Sequence, residues 1–104
     1  MIEIGDINGI GEYVEKKHGE KGEDKVFEVV DGKAFLVMRP KTIEVRCDKR
    51  LADMLREKYE TVMESRYFGH GGVEIIPSGQ LDDGELEDLV RLSYNLTVKE
   101  RDSE

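Results

Sequence analysis

The chain has one cysteine, two prolines, two histidines and no tryptophan. The lone thiol, Cys47, excludes an intrachain disulfide. It stands between Val45-Arg46 and Asp48 and reads as a small buried hydrophobe at a strand end. No His-Cys cluster offers a zinc site. There is no Gly-x-Ser-x-Gly elbow, P-loop, strand-borne Gly-x-Gly-x-x-Gly or His-Glu-x-x-His. No reaction, cofactor or metal is therefore expected. No apolar run approaches the ~20 residues that span a bilayer. Met1-Ile2-Glu3-Ile4-Gly5-Asp6 has no basic stretch leading into an apolar one, so no leader is expected. A lone thiol fits a reducing compartment, and the expectation is a cytoplasmic protein with no membrane partner.

Charge is plentiful but uneven. The 104 residues carry 16 basic and 24 acidic side chains, a net charge of −8. Residues 1–32 hold 4 basic and 9 acidic, residues 33–70 hold 9 and 6, and residues 71–104 hold 3 and 9. The middle third alone is positive. An acidic chain repels phosphate backbones at long range, so an anionic partner should meet that middle third. Apolar residues reach 38% and fall in periodic runs, enough to build one core in a single domain, 1–104. Residues 1–5 and 99–104 are expected to be flexible ends.

The runs predict an order. Asp6 can cap a first helix with Ile7, Ile10 and Val14 on one face, weakened by Gly9 and Gly11 and fading near Gly19. Val26–Val30 and Lys33–Met38 read as two strands joined by Asp31-Gly32, a type I′ hairpin signal needing positive φ at both residues. The second is apolar on both faces, hence central. Thr42–Cys47 alternates, with Ile43, Val45 and Cys47 inward and Thr42, Glu44 and Arg46 on a wet face. Asp48 caps a helix to about Tyr59, with Leu51, Met54, Leu55 and Tyr59 as its stripe. Residues 61–68 read as a fourth strand. Gly71-Gly72 breaks the chain before a fifth, Val73–Ile76, which Pro77 and a turn at Ser78-Gly79 end. In the last helix Asp82 and Glu85 form a capping box, Leu81 and Leu86 a staple. Leu86, Leu89, Val90, Ser93, Tyr94 and Thr97 trace its buried face. The expected fold is α+β, an antiparallel sheet with helices on one face, in the order α-β-β-β-α-β-β-α.

Four stretches carry a family resemblance: Asp31-Gly32-Lys33-Ala34-Phe35, Ile43 through Asp48, Leu51 through Tyr59, and Leu81 to Val98 with its Ser93-Tyr94 pair. In this order and spacing they resemble the MmcQ/YjbR family over about residues 25–98. The resemblance implies a CyaY-like fold and DNA binding through wing-like hairpins. The chain departs from the family pattern in two places. It reads His70-Gly71-Gly72-Val73 where a His-Trp is common, and it has an acidic, glycine-rich segment in place of a longer first helix.

Two classes of site follow. The basic residues Lys33, Arg39, Lys41, Arg46, Lys49 and Arg50 cluster near two hairpin tips and could hold a phosphate backbone. They serve equally as a solvated surface that blunts sheet edges. Alternatively, Tyr67, Phe68 and His70 beside flexible glycines suit the lip of a small-ligand or protein-interaction site. The same loop also reads as a turn that needs glycine. DNA, a protein and a small ligand are thus the candidate partners. Nothing in the sequence sets an oligomeric state. The carboxylates of 82–88 sit at a helix start, where they complement its dipole without any metal.

Overall fold

A computed structural model describes residues 2–77 and 79–103; Met1, Ser78 and Glu104 lie outside it, and with them part of the turn expected at Ser78-Gly79. Six strands form one antiparallel sheet: β1 Tyr13–His18, β2 Asp24–Val29, β3 Ala34–Met38, β4 Ile43–Arg46, β5 Val62–Ser65 and β6 Gly69–Ile75. Their spatial order is β1-β2-β3-β4-β6-β5. Helix α1, Lys49–Lys58, links β4 to β5, and α2, Asp83–Asp102, closes the chain. The fold is α+β, and both helices lie on one face of the sheet. There Ala52, Leu55, Leu86, Val90 and Tyr94 share a core with Phe27, Leu36, Val45, Val73 and Ile75.

The first helix expected from the sequence is not there. A short 3-10 turn at Ile4–Asp6 gives way to an extended passage and then to β1. The glycines decide it. Gly9 has φ +89°, and a β-carbon on Gly11 would come within 2.6 Å of the Tyr94 hydroxyl. The segment crosses close over α2, whose side chains satisfy its carbonyls: Arg91 Nε donates to Asn8 O at 2.7 Å, and the Tyr94 hydroxyl to Glu12 O at 3.0 Å. Ile7 keeps its buried role, but Val14 is exposed on β1. β1 is wet throughout, an edge strand without apolar alternation. The observed order is therefore a 3-10 turn, four strands, α1, two strands and α2.

β3 is central, as its two apolar faces predict. Phe27 pairs with Leu36 and Glu28 with Ala34, leaving Phe35 as the extra residue of a bulge. Phe35 thereby joins Leu36 on the helix face, edge-on to Tyr94 at 4.9 Å between centroids. α2 is stitched to the bulge by Ser93, whose hydroxyl donates to Phe35 O at 2.6 Å and accepts from Arg46 N at 2.8 Å. The β2–β3 connection is not type I′: Asp31 has φ 58°, but Gly32 is not in the left-handed region. Four residues intervene, and Val29 N donates to Lys33 O.

Both helix starts match expectation. Asp48 accepts from Leu51 N at 2.8 Å, and Asp82 and Glu85 complete the capping box. Leu81 and Leu86 are buried. The stripe of α1 differs by one residue. Ala52 is buried in place of Met54, which is 55% exposed. Gly71-Gly72 does not break the chain but lies inside β6. Helix α2 continues through the expected fraying point at Lys99 to Asp102, and Ile2 is buried in the core.

Candidate nucleic-acid interface

The meander of β2, β3 and β4 sends its two turns to opposite ends of the sheet. Lys33 lies in the β2–β3 turn; Arg39 and Lys41 lie in the β3–β4 turn. A five-residue strand separates them by roughly 17 Å, so the two basic tips do not converge as a pair of wings.

Arg39 is also committed internally. Its guanidinium donates to Asp24 at 2.7 Å and to Glu44. Here a second expectation fails. Glu44 is on the face away from the helices, yet it is fully buried. The loop between β5 and β6 folds over that face and closes it. Glu44 accepts from the Ser65 hydroxyl at 2.7 Å and from Tyr67 N at 2.9 Å, besides Arg39. Its cross-strand neighbour Glu74 accepts from Thr42 at 2.7 Å and from both prongs of the Arg66 fork. The Arg66 hydrogen bonds hold the Glu74 carboxyl below the usual carboxylate range, against the opposing effect of burial.

The same loop fixes Phe68. Its ring packs on Val26, Ala34 and Val37 and fills the space above Gly72. Arg46 covers it, the guanidinium 5.2 Å from the ring centroid. Phe68 is thus packed onto the sheet. Tyr67 stands beside it, edge-on and 42% exposed. His70 is exposed, and its Nδ1 donates to the Glu64 carboxylate at 2.8 Å. Cys47 is buried, and burial pushes its thiol up to about 11, which makes it an inert hydrophobe.

The basic side chains do gather at the β2–β3 end. Arg46 ends β4, its Nε bound to Ala34 O at 2.7 Å and its Nη1 to Glu100 at 3.3 Å. Lys49 and Arg50 begin α1 within four residues of it and are exposed. The last turns of α2 arrive at the same place. Arg101 donates to Val30 O at 2.7 Å. Lys33, Arg46 and Lys99 border one open hollow of about 620 Å³, shared with Leu96, Glu100 and Ser103. This pole sets Lys33, Arg46, Lys49, Arg50, Lys99 and Arg101 against Asp31, Asp48, Glu100 and Asp102. Lys99 and Arg101 belong to the segment expected to be a flexible end, and both lie within α2. The signal for them was the unbroken helical spacing from Leu86 to Thr97, which carries on without a glycine or proline.

The protein is thus a small α+β fold, an antiparallel sheet backed by two helices on one face, with six of its sixteen basic side chains at one end. The chain belongs to the YjbR family: the family model matches residues 11–96, most of its length. Comparison with curated proteins and with solved structures gave no match. Among the described residues no three His, Cys, Asp or Glu side chains gather as a metal site. Among the described residues no helix is long and apolar enough to cross a membrane.

Proposed function

We infer that the chain is a non-enzymatic, CyaY-like binding protein of the YjbR type that contacts DNA through the basic pole. The observation that carries this is the convergence of Lys33, Arg46 and Lys99 on one hollow in a chain of net charge −8. Family membership supports it through the DNA binding that the resemblance implies.

The acidic remainder does not oppose it at ordinary salt. The acidic start of α2, Asp82 to Asp88, is separated from Lys99 by most of a 20-residue helix, roughly 24 Å from Asp83 at 1.5 Å per residue. The Debye length at 0.1 M salt is about 10 Å. The local field at the pole is then set by the pole itself. Lys33 and Lys99 offer point charges to phosphates, and the open hollow admits a backbone. Arg39 takes no part, because its guanidinium is bound to Asp24 and Glu44.

A mobility-shift series at low salt, on duplex and single-stranded DNA, tests this reading. Non-specific binding of this kind has a Kd of roughly 1–100 µM. A shift in that range, lost in Lys33→Glu and Lys99→Glu but kept in Lys41→Glu, is expected. Absence of any shift with either DNA, at protein concentrations covering that range, removes the proposal.

A further inference from the structure

A second cavity, of about 460 Å³, lies at the opposite end of the sheet from the basic pole. It forms where the N-terminal segment arches over the ends of β1, β2 and β3. Its inner wall is apolar, built by Ile2, Ile4, Phe27 and Met38. Ile2 and Phe27 are buried members of the main core, so this wall is anchored. The volume lies within the ~300–1,000 Å³ of small-molecule sites.

The rim has the other sign. Glu3, Glu15 and Glu23 line it, faced by Lys25 and Arg39. Glu15 is opposite Phe27 in the β1–β2 ladder, so its side chain stands on the same face as that ring. Among the described residues neither Glu3 nor Glu15 has an ion-pair partner. Glu23 accepts from Lys21 N at 2.9 Å, and backbone hydrogen bonds hold its carboxyl below the ordinary range. Of the two cations, the Arg39 guanidinium is already bound to Asp24 and Glu44. Among the described residues Lys25 alone remains against three carboxylates.

An anchored apolar wall beneath a net-negative rim selects one kind of small molecule. We propose that this cavity binds a small organic cation, an ammonium group on an aromatic or branched apolar body. The body lies against Ile4, Phe27 and Met38, and the ammonium reaches Glu15 and Glu3. Neutral analogues keep only the apolar contact, and anionic ones meet like charge.

The test is a titration of the full chain, followed by backbone amide NMR, with three probes of one shape: 2-phenylethylammonium, 2-phenylethanol and phenylacetate. The ammonium should give saturating shifts at Ile4, Glu15, Phe27 and Met38, with the alcohol weaker and phenylacetate weakest. Glu15→Gln and Glu3→Gln should each weaken the ammonium by about two- to fivefold, the range of an exposed charge contact. Neither should change the alcohol. Both residues are exposed, so the folded spectrum is kept, and either variant suffices if the other fails to fold. Lys33→Glu, at the far pole, should leave the titration unchanged whether or not DNA is bound there. No saturating shifts at these positions, equal affinity for ammonium and alcohol, or ammonium binding unaltered in both variants overturns the proposal.

Discussion

Arg46 lies over the face of Phe68, 5.2 Å from its centroid, and Phe68 in turn lies over Gly72. A β-carbon on Gly72 would meet the Val45 carbonyl oxygen and the Phe68 side chain. One at Gly71 would find only Phe68 O, at 3.5 Å. The two adjacent glycines therefore have different duties. Gly72→Ala should cost about 2–3 kcal/mol by forcing the strands apart and lifting the ring. Gly71→Ala should stay within about 1 kcal/mol. Denaturant unfolding of both variants checks the contrast.

The cations of the β3–β4 turn divide in the same way. Arg39 neutralises Glu44, which is fully buried, and Asp24, which is 7% exposed. Arg39→Ala leaves two buried carboxylates without their cation and should destabilise by about 3 kcal/mol. Lys41 is exposed, and Lys41→Ala should lie within about 0.5 kcal/mol of the parent. Urea midpoints distinguish the two.

Acid should loosen the loop over the sheet. The ordinary value of the Glu74 carboxyl is 4.5, and Arg66 holds it lower in the folded chain. The unfolded chain then binds more protons than the folded one between the two values. The stability this pair contributes is fully present above that ordinary value and is lost as pH falls through it to the folded value. Glu74→Gln should flatten this part of the acid decline. Equal slopes for the parent and the variant below pH about 4.5 contradict the assignment.

Much of this architecture is legible in the residues, and the exceptions have physical causes. The α2 face from Leu86 to Thr97 and the two caps at Asp48 and Asp82 rest on local spacing, and local spacing survives folding. β1 was hidden because an edge strand wet on both sides has no alternation to display. Its true constraint is tertiary: Gly11 must leave room for the Tyr94 hydroxyl, 83 residues away in the chain. Glu44 alternates like a solvent-facing residue, and only the fold-back of residues 66–68 buries it. The interface was half legible. Lys33, Arg46, Lys49 and Arg50 were marked by the charge of the middle third. Lys99 and Arg101 come from an acidic third and join them only because α2 ends at the same pole as β4.

The most direct test of the basic pole is the salt dependence of DNA affinity, read by fluorescence anisotropy on a labelled duplex. Three or four phosphate contacts predict that log K falls against log salt with a slope of roughly −3 to −4. Lys33→Ala and Lys99→Ala should each make it shallower by about one, with Lys41→Ala unchanged. A slope near zero, or one that Lys41→Ala reduces and the pole variants do not, would contradict the account.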